Sequence, residues 1–182
     1  MLGVIVDGAG DYAALNARYK GRVKILKSDG PRGHTAAECA IVESARKQMA
    51  ILSAWGCTKI ALITDFEGRN CSLESFAESI KRKALQVFQQ EIVVVIADQM
   101  IENWLLADIA HLSEQKKYLK KVKKQKVYES THGKKEIKKI FLHGYDYNEI
   151  KHSSELFPLV RASEAKKYSS SFNYFISQLG LD

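Results

Sequence analysis

Apolar residues along the chain form four short continuous runs, separated by segments in which apolar positions recur at helical spacing. The runs cover Leu2–Val6, Arg22–Leu26, Lys59–Ile63 and Ile92–Ala97. Their length and their β-branched residues favour strands over helices. The segments between them predict helices over Tyr12–Tyr19, Thr35–Trp55 and Ser72–Gln89, with Thr35 as the N-cap of the second.

The alternation of strands with helices predicts a mostly parallel sheet, because parallel neighbours need crossover connections. The fourth run reads IVVVIA and is apolar throughout, as expected of a strand covered on both faces. A further helical pattern follows it from Met100 to Asp108. We therefore predict an α/β, Rossmann-like core over residues 1–112, with a four-stranded, mostly parallel sheet flanked by helices.

The pattern changes after residue 112. A lysine-rich stretch begins there and predicts a helix with Tyr118, Leu119 and Val122 on its apolar side. Two more helices are predicted near 134–142 and 170–179. The last of these places four apolar residues on one face, namely Phe172, Phe175, Ile176 and Leu179. Residues 113–182 are thus predicted to form a lysine-rich helical extension that packs on the core.

The formal net charge of +7 is concentrated in that extension. Residues 114–139 hold 11 lysines and 3 acidic residues, whereas the rest of the chain holds 17 basic and 18 acidic residues. Such a segment suits a polyanionic partner, nucleic acid first, although a solvated lysine-rich face is an equally open alternative. The candidate nucleic-acid contacts are Lys120, Lys121, Lys123, Lys124, Lys134 and Lys135.

The composition argues against secretion and membrane insertion. No basic residue precedes the first apolar run, so no signal peptide is predicted, and the longest other run is far too short to cross a bilayer. Cys39, Cys57 and Cys71 lack the close spacing of a metal site. We expect reduced cysteines in a cytoplasmic protein with no membrane partner.

Acidic residues follow three of the four predicted strands. Each strand ends in one acid and has a second behind it: Asp7 and Asp11, Asp65 and Glu67, Asp98 and Glu102. The carboxyl ends of parallel strands share one edge of the sheet, so these acids should meet there. Crowded carboxylates need a compensating charge, which Mg²⁺ or Mn²⁺ supplies as a cation that prefers oxygen ligands. The predicted metal ligands are Asp7, Asp65, Glu67 and Glu102. The alternatives are that Glu102 holds Arg69 or the loop after the fourth strand in place, and that Asp65 and Glu67 are a helix cap and a solvated turn residue.

Glycines beside these acids point to phosphate chemistry. Gly8, Gly10 and Gly68 permit tight turns and close approach of a ligand to the backbone, and the helix N-termini that follow favour anionic groups. Metal ions together with phosphate indicate phosphodiester or phosphoryl chemistry. Arg69 is predicted to neutralise phosphate charge. The predicted catalytic set is Asp7, Asp65, Glu67 and Arg69.

The loop from Asp29 to Thr35 offers a second phosphate-binding candidate through Arg32 and His34. It lacks the GxxxxGK[ST] spacing of a P-loop, so it does not predict a nucleotide site. A plain turn followed by a helix cap is the alternative reading of this loop.

The two acidic loops resemble those of the TOPRIM domain, the metal-binding α/β module of topoisomerases, primases and OLD-type nucleases. That family carries an acid after its first strand, usually glutamate before glycine, and an Asp-x-Asp after its third. Here VDGAGD has Asp7 in place of glutamate, and TDFEG has Glu67 in place of the second aspartate. The resemblance implies a TOPRIM-like fold with Mg²⁺ at these acids, and both changes keep the charge while altering reach by one methylene.

Three later motifs are similar to a prokaryotic family of standalone TOPRIM-like proteins, catalogued as a domain of unknown function. The motifs are ENWLLAD (Glu102–Asp108), YNEIKH (Tyr147–His152) and SSSFNYF (Ser169–Phe175). Members of that family are often encoded beside AAA-type ATPases in mobile or defence-associated loci. The resemblance therefore implies a companion ATPase as a candidate partner.

Three functional hypotheses follow from these observations. The leading one is a Mg²⁺-dependent, TOPRIM-like nuclease that hydrolyses phosphodiester bonds of nucleic acid. The second is a non-catalytic adaptor that works through an ATPase and keeps the acids only as a vestige. The third is a phosphotransferase or phosphatase with a small substrate, which uses the same acids and leaves the lysine segment without a role.

Overall fold

A parallel sheet forms the centre of the molecule. The computed structural model describes residues 1–31, 33–88 and 92–181 of the 182-residue chain. The strands are β1 (Leu2–Val6), β2 (Val23–Lys27), β3 (Lys59–Asp65) and β4 (Val93–Ala97). All pairs are parallel, in the order β2-β1-β3-β4. The predicted α/β class with a four-stranded parallel sheet is confirmed.

Helices cover both faces of this sheet. In the described ranges they are α1 (Ala9–Tyr19), α2 (Glu38–Ser44), α3 (Arg46–Ala54), α4 (Leu73–Val87), α5 (Glu102–Leu106), α6 (Ile109–Gln115), α7 (Gly133–Ile140), α8 (Glu149–Leu156), α9 (Ala162–Ala165) and α10 (Ser170–Leu179). α2, α3 and α4 pack on one face, and the others pack on the opposite face. The predicted end of the α4 helix at Gln89 lies outside the described residues. Over the described ranges, no helix is long and apolar enough to cross a membrane.

The C-terminal part of the chain shares one apolar core with the sheet. Trp104 of α5 is fully buried, and its ring stacks on Phe175 of α10 with 4.7 Å between centroids. The Trp104 indole N–H donates to Ser171 Oγ at 2.9 Å. The same cluster contains sheet residues, among them Val4, Val6, Ile63 and Val95. The predicted boundary at residue 112 therefore falls inside α6, and the predicted apolar face of the last helix is buried.

The prediction of one continuous helix over Thr35–Trp55 is wrong. α2 begins only at Glu38, and Thr35 lies in the preceding turn and is not the N-cap. α2 then ends at Ser44, whose hydroxyl donates to the Ile41 carbonyl at 2.7 Å. Side-chain bonds of this kind compete with the backbone ladder and bend helices, which accounts for the break before α3.

The predicted lysine-rich helix is also wrong, because residues 116–132 form a loop between α6 and α7. Lysines in this stretch recur three and four positions apart, so a helix would place like charges beside one another. Side-chain hydrogen bonds to neighbouring helices fix the loop instead, one to Ser113 of α6 and one from Gln125 of the loop itself. Ser113 Oγ accepts from the Val122 N–H at 3.0 Å, and Gln125 Nε2 donates to the Leu106 carbonyl at 2.7 Å.

Candidate active site at the carboxyl ends of the strands

Six carboxyl groups line one small pocket at the carboxyl ends of β1 and β3. They belong to Asp7, Asp11, Asp65, Glu67, Glu102 and Glu149. Among the described lining residues, Lys134 contributes the one ammonium group, and the cavity measures about 80 Å³. The strand order reverses between β1 and β3, which is where open α/β sheets bind ligands. We call this set the carboxylate pocket.

The loop after β1 delivers two of the acids. Asp7 is buried, and its Oδ2 accepts from Thr64 Oγ1 at 2.8 Å. Asp11, in the first turn of α1, accepts from the Gly8 N–H at 3.0 Å. A Cβ on Gly8 would lie 2.3 Å from the Asp11 carboxylate, so this close approach requires glycine. Burial raises the pKa of Asp11 well above its ordinary value, and the charges of Asp7 and Glu102 raise it further.

The turn after β3 delivers Asp65 and Glu67. Glu67 has a φ of 51° and is followed by Gly68 at 66°, so both residues are left-handed. A side chain in this region costs of order 1–3 kcal/mol, and such strain concentrates at functional sites. The turn is held to the loop after β4 by a bond of 2.9 Å from the Glu67 N–H to the Gln99 carbonyl. Burial raises the pKa of Asp65 well above its ordinary value, and the charge of Asp11 adds to the effect.

Glu102, the first residue of α5, is the most deeply buried acid of the pocket, with 2% of its surface exposed. The Tyr147 hydroxyl, itself within 3.0 Å of Ser153 Oγ, donates to Glu102 Oε1 at 3.1 Å. Glu102 Oε2 has no hydrogen-bond partner among the described residues. Burial raises the pKa of Glu102 against the opposing charge of Lys134. The pocket thus contains a buried carboxylate oxygen that is free to bind a cation or a donor.

Lys134 and Glu149 close the pocket from the C-terminal half of the chain. A Cβ on Gly133 would lie 2.5 Å from Asn103 Oδ1 and 2.9 Å from Glu102 Cβ, so the glycine lets α7 approach α5 and places Lys134 over the acids. Lys134 Nζ pairs with Glu149 Oε2 at 2.8 Å. Although burial lowers the pKa of Lys134, the charges of Glu102 and Glu149 outweigh this and raise it.

Two predicted residues, Arg69 and Asp98, are not in the lining of the pocket and make structural contacts. Arg69 donates from both terminal nitrogens, to the Ala36 carbonyl at 2.7 Å and to the Gly33 carbonyl at 2.9 Å, so it fixes the turn that precedes α2. Asp98 was expected to join the other acids, but its Oδ2 accepts from the Ser130 N–H at 2.6 Å and anchors the lysine-rich loop. The predicted role of Arg69 towards phosphate stays a prediction.

The remaining predicted residues lie on the surface or beyond the described ranges. His34 is exposed in the turn before α2, next to Gly33 of the pocket lining, and Arg32 lies outside the described residues. Five of the six candidate nucleic-acid contacts are exposed, namely Lys120, Lys121, Lys123, Lys124 and Lys135. The sixth, Lys134, is partly buried and lines the carboxylate pocket.

The sequence reasoning missed Glu149 and Tyr147 as parts of the site and placed Lys134 only on the lysine-rich surface. These residues are more than 65 positions from Asp65 along the chain and reach the pocket only through packing of α7 and α8. One signal was available, since YNEIKH supplies an acid directly after an Asn N-cap. That pattern alone marks a helix start and does not indicate where the helix packs.

The chemistry of the pocket fits a hard divalent cation. Among the described residues, no group of three or more His, Cys, Asp or Glu side chains is arranged as a ready metal site. Mg²⁺ does not require such a group, because it keeps several waters and is held by one or two carboxylates. The unpartnered Glu102 Oε2 and the excess of carboxylates over ammonium supply oxygen ligands and negative charge.

The fold and the pocket define an α/β protein with an acidic pocket at the reversal point of a parallel sheet. The family model described as "Domain of unknown function (DUF4276)" matches residues 18–180, so the chain belongs to this family. The matched range contains Asp65, Glu67, Glu102, Lys134 and Glu149 and begins after Asp7 and Asp11. No match was found among curated proteins or solved structures. The prediction of a family of unknown function is confirmed, and its TOPRIM-like character stays a prediction.

Proposed function

We propose that this chain is a TOPRIM-like, Mg²⁺-dependent phosphodiesterase that cleaves nucleic acid. The observation that carries the proposal is the unpartnered oxygen of Glu102, buried in a pocket of six carboxyl groups at the strand ends. Acids in a cleft whose pKa values are raised by burial and by one another are candidates for a functional site. A cation would relieve their repulsion and give these groups a common role.

In this proposal one or two of Asp7, Asp65, Glu67 and Glu102 would bind the cation directly, and the others would contact it through its waters. When bound, Mg²⁺ would lower the pKa of a water molecule and stabilise charge on the phosphoryl oxygens. Tyr147 donates to one oxygen of Glu102, and the other oxygen has no partner among the described residues. The Lys134 ammonium group, held by Glu149, would contact an anionic substrate oxygen that enters the pocket.

The position of α7 supports nucleic acid as the substrate. The helix begins at Gly133 beside Glu102 and continues with the exposed side chains of Lys135, Lys138 and Lys139. The lysine-rich loop precedes it directly. A phosphate backbone lying on this basic surface would therefore lead towards the carboxylate pocket, whereas a small substrate would leave the surface unused.

A second candidate function is the non-catalytic adaptor of a companion AAA-type ATPase. The specific observation in its favour is that no three-residue metal group is assembled within the described residues. The two candidates differ in whether this chain itself cuts nucleic acid.

We expect the protein to cleave plasmid, linear DNA or RNA in the presence of Mn²⁺ or Mg²⁺, and to be inactive with EDTA, because the acids alone cannot activate water. The assay follows strand scission on gels with and without ATP and the companion ATPase. Inactivity under every condition would reject the enzyme and favour the adaptor. Hydrolysis of small phosphate esters without cleavage of nucleic acid would instead identify a phosphatase.

A further inference from the structure

A groove of about 550 Å³ lies between α1 and α8, beside the end of β2. It is lined by three alanines of α1 together with Tyr12, Ile150 and Lys27. Tyr12 and Ile150 are 38% and 52% exposed, so the groove is open to solvent. We propose that this groove binds an unpaired nucleobase of the substrate strand, next to the phosphate that is cleaved. The proposal rests on the proposed function and specifies the kind of nucleic acid that the enzyme takes.

The groove is continuous with the carboxylate pocket. Ala9, the first residue of α1, lines both cavities. On the α8 side, Ile150 directly follows Glu149, whose carboxylate lines the pocket and pairs with Lys134. The two helices are in contact at this point, since a Cβ on Gly10 would lie 3.4 Å from Glu149 Cβ. A substrate with one group in the carboxylate pocket would therefore place its neighbouring group in the groove.

The lining of the groove suits a planar, aromatic group. Tyr12 offers a partly exposed ring, and nucleobases of any sequence stack on aromatic side chains. It lies three residues after Ala9, about 4.5 Å along the helix axis, which is within reach of the nucleotide attached to a phosphate in the pocket. Lys27 also lines the groove and supplies a cation for the next phosphate of the strand.

The groove and the lysine-rich loop lie on opposite sides of the pocket. The groove adjoins β2 at one edge of the sheet, whereas the loop is bound to Asp98 at the end of β4, the other edge. A strand crossing the pocket would therefore contact lysines on one side and the groove on the other. Bases in a duplex are covered on both faces by their neighbours and cannot stack on Tyr12. The proposed substrate thus has unpaired bases at the cleavage site.

Binding of labelled oligonucleotides, followed by fluorescence anisotropy, tests this assignment. We expect Tyr12→Ala to weaken binding of a single strand by about tenfold, the effect of losing one base stack, and to leave binding of a duplex of the same length unchanged. Tyr12→Phe keeps the ring and should bind as the wild type does. Alanine favours the helical conformation, so α1 should remain folded. Tyr174→Ala is the matched control, because Tyr174 of α10 is 39% exposed, and it should have no effect.

Three results would overturn the proposal: a wild type that binds no single strand, a Tyr12→Ala variant that binds single strands as the wild type does, and equal losses for single strand and duplex. Self-association of the wild type that Tyr12→Ala abolishes would assign the groove to a second copy instead. Strand cleavage is scored separately. A wild type that binds single strands through Tyr12 and never cuts them would reject the nuclease alone. Cleavage of single strands at the wild-type rate and affinity by Tyr12→Ala would reject the groove alone.

Discussion

Replacing Asp65 with asparagine should lower metal-dependent cleavage by about 10²- to 10³-fold, the size of effect seen when a group that stabilises transition-state charge is removed. The same change should raise the free energy of unfolding by roughly 0.5–2 kcal/mol, the range of a single stabilising substitution. Asparagine is nearly isosteric and removes one negative charge from a pocket in which six carboxyl groups face one lysine. Activity would therefore be lost while stability is gained, which separates a functional acid from a structural one.

The pH dependence of that gain follows from the raised pKa of Asp65, whose main cause is burial. An aspartate in an unfolded chain titrates near about pH 3.9, and in the folded protein its pKa is higher, so folding favours the protonated form. The stability that Asp65 contributes is therefore complete below about pH 4 and is lost as the pH rises through the raised pKa. The gain from Asp65→Asn should be larger at pH 8 than at pH 5.

Urea denaturation at the two pH values without metal measures this difference. Asp146→Asn, which removes an exposed acid outside the pocket, is the matched control and should change stability little. An Asp65→Asn variant that is less stable than the wild type, or equally stabilised at both pH values, would contradict the claim that repulsion among the carboxylates of the pocket destabilises the fold.

Replacing Lys120, Lys121, Lys123 and Lys124 with glutamine should flatten the salt dependence of nucleic-acid binding. Each neutralised phosphate contributes about −0.9 to the slope of log K against log salt, so four to six contacts give a wild-type slope of roughly −3 to −5. All four side chains are exposed on the loop between α6 and α7, although Lys120 Nζ also donates to the Lys139 carbonyl. Loss of all four contacts would leave none to two, so the slope should lie between zero and about −2.

Fluorescence anisotropy with labelled oligonucleotides at several salt concentrations measures these slopes. A control with Lys20, Lys47, Lys166 and Lys167 replaced by glutamine makes the same change of charge at exposed positions elsewhere. Equal slopes for the two quadruple variants would show that net charge, and not this loop, determines binding. An unchanged slope in the loop variant would mean that its lysines are only a solvated surface.

The strands and their terminal acids could be predicted because both depend on local patterns. A short apolar run rich in β-branched residues, such as IVVVIA, favours a buried strand. Parallel strands bring Asp7 and Asp65 to one edge of the sheet independently of the loop conformations. The burial of Glu102 was harder to predict from the sequence, because it depends on the direction that α5 takes after β4. The fold class and the position of the pocket were thus accessible from the sequence.

The errors arose where tertiary contacts override local preference. The lysine-rich stretch has the apolar spacing of a helix, yet hydrogen bonds from Val122 to Ser113 and from Gln125 to Leu106 hold it as a loop. Asp98 ends its strand as Asp65 does, but a backbone N–H of that loop captures its carboxylate. Lys134 reaches the acids because Gly133 permits close packing of α7 on α5. No local sequence pattern predicts this contact.

Calorimetric titration with Mn²⁺ tests most directly the central claim that the carboxylate pocket binds a divalent cation. The account predicts saturable binding of Mn²⁺ to the wild type and no binding to a folded Asp65→Asn variant. In thermal unfolding, Mn²⁺ should accordingly raise the melting temperature of the wild type by mass action and leave that of the variant unchanged. Binding that persists unchanged in Asp65→Asn, or its absence from a folded wild type at millimolar Mn²⁺, would contradict it.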